Sequence, residues 1–145
     1  MAILKNLEED YKYRLKDVGP PKRYLGALIG RYEINHRVST WSMSAQEYLE
    51  KALPIVEQRQ GPLRVNKALT PLPPGYHPEL DESTFLSPDD VELYQSYIGT
   101  LRWAVELGRI DLCFSISLMA RFAMCPHEGH MENLIHVFAY IKKHI

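Results

Sequence analysis

The sequence predicts an α+β fold: a β-hairpin with a helix, followed by a three-helix C-terminal unit. Three observations carry this. Residues 22–34 alternate as a strand does. Residues 45–56 and 88–143 space their apolar side chains as helices do. Between them lies a stretch, 60–87, that holds most of the chain's ten prolines. So long a segment without regular structure is unusual inside one domain. The expected organisation is therefore 1–59, a Pro-rich linker at 60–87, and a helical unit at 88–145.

The elements follow in order. "ILKNLEED" suits a short helix and "YKYRL" a half-exposed strand with Tyr11, Tyr13 and Leu15 on one side. "KRYLGALIGRYEI" reads as one long strand, Leu25, Ala27 and Ile29 on one face and Leu28 on the other with Gly26 and Gly30. A strand places glycine where another backbone or a ligand comes close. "NHR" at 35–37 turns the chain, and "VSTWSM" returns beside it. Ser44 with Glu47 forms a capping box for a helix that buries Ala45, Leu49, Ala52, Leu53 and Val56. Pro54 should kink or stop that helix.

Ser87 or Asp89 caps a helix through Leu107. Gly108 ends it and Asp111 caps the next, so that "GRID" is a corner between helices. Residues 112–124 are apolar almost all round and should form the most buried helix. Residues 128–143 are again amphipathic, and Lys142 and Lys143 suit a helix C-terminus.

Composition narrows the function. The chain has 145 residues, a formal net charge of −1 and 46% apolar residues. That is globular and not strongly basic. No apolar run approaches the roughly 20 residues of a membrane helix. No signal peptide is visible, so an intracellular protein is expected, cytoplasmic or nuclear. Cys113 and Cys125 read as two reduced, buried thiols.

Candidate chemistry is sparse. Asp89 and Asp90 could hold magnesium, but they stand in the first turn of a helix, where they complement its dipole. Cys125, His127 and His130 are soft-metal ligands by type, yet their spacing matches no zinc motif. A capped helix entry explains them better. No phosphate loop or nucleophile motif is present. The residues alone show no catalytic centre, no metal site and no cofactor site.

Two blocks resemble a known family. "KRYLGALI" at 22–29 is similar to the primer-grip hairpin of retroelement reverse transcriptases. The block 94–143 is more specific. Tyr94, Ser96, Gly99 and Leu101 are followed by Arg109, Asp111 and Leu112, then Ser117, Leu118, Arg121 and Phe122, then Pro126 and His130, then Tyr140, Ile141 and Lys142. This resembles the copia-type LTR-retrotransposon Pol polyprotein in its reverse transcriptase region, with Ile110 where the family has proline.

The resemblance covers about 11–59 and 88–144. It implies the end of the palm, the primer grip, the thumb and the connection region. It implies an RNA-directed DNA polymerase as parent activity, with magnesium as the parent's cofactor and an RNA or DNA template-primer as partner. The family's catalytic aspartate turn does not occur in this sequence. The chain is therefore expected to be a fragment that lacks the rest of the palm and the RNase H portion and is inactive alone. Residue by residue, Lys22 and Arg23 would meet phosphate, Tyr24 would pack at a sugar, Leu25 completes the grip, and Gly26 would allow close backbone approach. Separated from its palm neighbours, the hairpin half should expose Tyr11, Tyr13, Leu25, Ala27 and Ile29 and be the less stable half. The competing reading is a stand-alone helical interaction module left by a decayed element.

Overall fold

A computed structural model describes residues 19–34 and 38–145. The expected N-terminal helix, the strand at 11–15 and the turn at 35–37 lie outside the described residues. The fold is α+β, as expected. Three antiparallel strands, β1 (Arg23–Tyr24), β2 (Ala27–Ile34) and β3 (Val38–Ser44), lie in that order. Four helices follow: α1 (Gln46–Gln60), α2 (Pro88–Glu106), α3 (Cys113–Ala120) and α4 (Glu128–Lys143).

The predicted long strand is broken. Tyr24 pairs with Ala27, so Leu25 and Gly26 form a two-residue hairpin loop. Their φ angles are 49° and 93°. Positive φ at both central positions is the signature of a type I′ turn, whose twist matches that of the flanking strands. From Ala27 onward, β2 pairs with β3 as expected, with Ile29 opposite Met43 and Arg31 opposite Trp41. Ala27 is fully buried rather than exposed, because α1 packs against β2.

The expected capping box of α1 does not form, and α1 does not stop early. Ser44 closes β3, and the N-cap position falls to Ala45, although the Gln46 amide still donates to Ser44 Oγ (3.2 Å). Glu47 does not reach back to cap. It accepts from Arg23 and Lys51, at 2.8 Å each. Pro54 does not stop the helix, which continues to Gln60. Pro54 lies on the exposed face, so the Glu50 carbonyl that loses its partner meets water. Leu49, Leu53 and Val56 hold the opposite face in the core.

Residues 61–87 contain two 3-10 turns, Val65–Lys67 and Pro78–Leu80. They are packed rather than loose. Leu63 and Ala68 are buried, and Leu72, Tyr76 and Leu86 lie against the same core. Ser87 then caps α2, accepting from the Asp90 amide (3.3 Å), with Pro88 in the first turn. Gly108 ends α2 as predicted. Its φ of 111° lets its amide reach Val105 O (3.0 Å) while the Arg109 amide reaches Ala104 O (3.0 Å).

The corner itself differs from expectation. Ile110–Leu112 is a 3-10 turn, and α3 spans only Cys113–Ala120 with no side-chain cap. Asp111 binds Arg109 instead. Nor is α3 the most buried helix. Leu112, Ser115, Ile116 and Met119 face inward, but Phe114 is 75% exposed and Cys113 and Cys125 are both exposed. An apolar helix in so small a body has one side covered and one side left over. The centre is instead shared by α2 and α4, through Tyr94, Leu101, Ala104, Leu134, Val137, Phe138 and Ile141. No helix among the described residues is long and apolar enough to cross a membrane.

This relocation of the core is testable. Phe138→Ala should cost about 3–5 kcal/mol, as large core truncations do. Phe114→Ala should stay within about 0.5 kcal/mol. Urea denaturation of both variants measures the difference; equal losses would return α3 to the centre.

Candidate nucleic-acid interface

The five residues singled out for nucleic-acid contact, Lys22, Arg23, Tyr24, Leu25 and Gly26, run through one exposed hairpin. The Ile29 amide donates to Lys22 O (2.9 Å), closing the ladder above the turn. Lys22 is exposed, and Tyr24 and Leu25 are each 61% exposed. Tyr24, at the end of β1, and Leu25, on the turn, thus present an aromatic and an aliphatic side chain to solvent.

Arg23 is less free. Its guanidinium meets the Glu47 carboxylate at 2.8 Å, and Lys51 meets the same oxygen. The Lys51 hydrogen bond, opposed by partial burial and aided by Arg23, holds Glu47 below the usual carboxylate range. Arg23 is thus held beside the turn by the first turn of α1.

The back of the turn rests on α2. Trp103 Nε1 donates to Leu25 O at 3.2 Å. Beyond it, Arg31 lies over the Trp41 ring, 5.1 Å from its centroid. Trp41 and Met43 are about half exposed on the same face. Pro20, Pro21, Ile29, Gly30, Arg31 and Trp41 line an open cleft there. Sequence reasoning missed Arg31, Trp41 and Trp103. Alternation alone placed Arg31 and Trp41 on strands, and only the register brings them opposite each other. Trp103 is far along the chain, and nothing in its surroundings pointed to the hairpin.

The C-terminal motif residues are brought together as structure rather than as a pocket. Tyr94, fully buried, donates from its hydroxyl to Met119 O (2.9 Å). Burial, with Tyr76 nearby, pushes its phenol well up. Gly99 is exposed, with nothing within 4 Å of where a Cβ would stand. No reason for glycine there is visible. Arg109 grips Asp111 with two bonds, 2.9 and 2.8 Å. That pairing, against some desolvation, lowers the Asp111 carboxyl. Arg121 is exposed, and its guanidinium lies 6.0 Å from the Phe122 ring centroid.

Pro126 and His130 close the proline-rich segment onto α4. The Leu86 amide donates to Pro126 O (3.0 Å). The His127 amide donates to His130 Nδ1 (2.9 Å), so His130 Nε2 carries the proton and donates to Pro78 O (2.9 Å). His130 is buried and stacks on Phe122, 4.3 Å between centroids. His127 Nδ1 bonds Ser83 O, and the Gly129 amide donates to Ser83 Oγ (2.9 Å). Ser83 in turn donates to Asp81 through hydroxyl and amide. A Cβ on Gly129 would collide with the Asp81 carboxylate, so any larger residue there would have to displace that side chain.

Both histidines are therefore spent as helix-entry groups, and Cys125 points to solvent. Among the described residues, no three His, Cys, Asp or Glu side chains converge to hold a metal. Asp89 and Asp90 lie in the first turn of α2.

Two tests follow. Burial pushes the Asp81 carboxyl up, but the two Ser83 bonds and the neighbouring histidines outweigh it and leave it below 3.8. A lowered folded value means the clamp is present above about pH 4 and lost as pH falls through that value. Asp81→Asn should flatten the fall in denaturation midpoint between about pH 5 and pH 3; an unchanged slope would remove Asp81 from the clamp. In the second, a double-mutant cycle on Arg109→Ala and Asp111→Ala should return a coupling of about 0.5–1 kcal/mol. Additive losses would mean that the pair contributes nothing.

Comparison with known proteins agrees with the motif blocks. No protein-family model matches the chain, and no solved structure matches it. It is 30% identical over 131 residues to transposon Ty5-1 protein YCL074W of Saccharomyces cerevisiae, covering 89% of this chain and 39% of that protein. It is 23% identical over 139 residues to the retrovirus-related Pol polyprotein from transposon TNT 1-94 of Nicotiana tabacum, covering 90% of this chain and 10% of that polyprotein. The chain thus spans well under half the length of either relative. Along most of its own length, the chain is similar to proteins of transposons, one of them a retrovirus-related Pol polyprotein.

Proposed function

We propose that the chain is a segment of a copia-type reverse transcriptase, carrying its primer grip, thumb and connection region. In this reading the parent polyprotein is a magnesium-dependent RNA-directed DNA polymerase, and this segment holds nucleic acid without supplying catalytic groups. One observation carries it: the exposed hairpin at 22–28, in a chain similar to a retrovirus-related Pol polyprotein, offers a cation, an aromatic ring and a tight backbone turn at one place.

Each part has a physical task. Lys22 is exposed and can neutralise a phosphate, and Arg23, positioned by Glu47, stands beside it. Tyr24 presents a ring that can pack on a sugar or base. Gly26, at φ 93°, closes the tight turn, and the side where a Cβ would stand faces the Tyr48 ring at 3.7 Å. Such contacts position a strand without reading its sequence. In the working polymerase the partners are the template-primer and the remaining palm and RNase H portions.

A second reading has its own observation. Ile110, Phe114 and Met124 are 75–82% exposed around α3. Such a cluster favours a protein-docking helical module.

The first reading predicts that the chain binds a fluorescein-labelled primer–template with a recessed 3′ end at low salt. Affinity should fall as salt rises, and Lys22→Ala should reduce the slope of log affinity against log salt by about one phosphate contact. Fluorescence anisotropy measures both. No binding at low salt, or an unchanged slope, would reject the hairpin as the contact. Nucleotide incorporation by the chain with magnesium or manganese, abolished by a point change in it, would reject the non-catalytic reading.

A further inference from the structure

The turn at the tip of the hairpin is not selected by its own sequence. Type I′ turns call for Asn-Gly or Asp-Gly, since both central residues take positive φ. Gly26 meets that requirement. Leu25 does not, yet it stands at φ 49° and is the one non-glycine residue with positive φ among those described. A leucine in the left-handed region crowds its Cβ against the backbone. Leu25 is exposed, so no core packing of its side chain compensates. Something outside the turn fixes it.

The contact that does so comes from α2. Trp103 Nε1 donates to Leu25 O across 78 positions of sequence. Trp103 is half-buried and packs against the core, in the same turn of α2 as the fully buried Leu101 and Ala104. Its helix is capped by Ser87 at one end and closed by Gly108 at the other. The far corner of α2 also lies against the sheet, with Met43 O 3.9 Å from the Cβ position of Gly108. The donor is therefore fixed by a rigid element, while the acceptor belongs to a turn that would otherwise relax.

We propose that Trp103 is a positioning residue for nucleic-acid binding: its indole N–H holds the Leu25–Gly26 turn in its left-handed form. It thereby orients Lys22, Arg23 and Tyr24. This rests on reading the hairpin as the nucleic-acid contact. A second consequence is that the helical unit and the contact are mechanically one piece. Displacement of α2 relative to the sheet would release the turn.

The test uses the full chain and the variant Trp103→Phe, which keeps an aromatic ring and removes the donor. Two quantities are read: hydrogen exchange of the Ile29 amide, which closes the ladder onto Lys22 O, and affinity for the labelled primer–template. Exchange at Ile29 should rise and affinity fall, each by roughly five-fold, the size of one hydrogen bond, while α4 amides keep their rates. The same substitution is then made in a Leu25→Gly background, where left-handed φ carries no penalty. There, both effects of Trp103→Phe should shrink, since the strain that the bond offsets is gone.

Unchanged Ile29 exchange in Trp103→Phe would overturn the proposal. So would an equal effect in the Leu25→Gly background, or faster exchange throughout α2 and α4, which would make Trp103 a packing residue only. Failure of the unsubstituted chain to bind the duplex would overturn the reading of the hairpin. The Ile29 exchange rates would still decide, independently, whether Trp103 holds the turn.

Discussion

Everything in the described fold leans on α2. Tyr94, Leu101 and Ala104 are fully buried, and helices α1, α3 and α4 all pack against it. Tyr94 shows why the arrangement is specific. Its ring fills the centre, and its buried hydroxyl must find an acceptor, since an unpaired one costs more than the bond returns. Met119 O is that acceptor, which ties the end of α3 to α2. Trp103 repeats the device at the other end of the helix, with an indole that packs inward and a donor that reaches the hairpin. Two polar atoms on apolar rings thus fix what apolar contact alone would leave free to slide.

The proline-rich segment belongs to the same construction. Thr84 O and Ser83 Oγ, the latter held by Asp81, satisfy the first two amides of α4 from outside the helix, and His130 ties its entry to Pro78 O. A segment that composition describes as a linker therefore acts as the cap of a helix and as part of the wall around it. His130 uses both ring nitrogens, Nδ1 on the His127 amide and Nε2 on Pro78 O. The clamp is consequently chemical as well as steric.

Much of this was legible in the sequence. Helix α2 announced itself through a cap at Ser87 or Asp89, its apolar spacing and Gly108, and α4 through Met131, Leu134 and Phe138. These signals are local, and local rules are strong for long periodic segments. What failed depended on partners distant in sequence. Glu47 could cap α1 or bind Arg23, and Asp111 could cap α3 or bind Arg109. Propensity cannot choose between a backbone amide and a guanidinium. The apolar run 112–124 looked central because periodicity reports how much of a helix is apolar, not how much neighbours can cover. Leu25-Gly26 hid a turn inside an apparent strand, since leucine is a poor signal for positive φ. The candidate contact was found by its resemblance to a family, and its surroundings, Arg31, Trp41 and Trp103, only by the fold.

The central claim is that a rigid helix reaches across the molecule to hold the exposed hairpin. The most direct measurement is heteronuclear NMR of the two indole N–H groups, Trp41 and Trp103. The account predicts a slowly exchanging Trp103 indole with cross-peaks to Leu25 and Gly26, and a faster-exchanging Trp41 indole on the half-exposed sheet face. Equal, fast exchange of both, with no cross-peak from Trp103 to the turn, would contradict it.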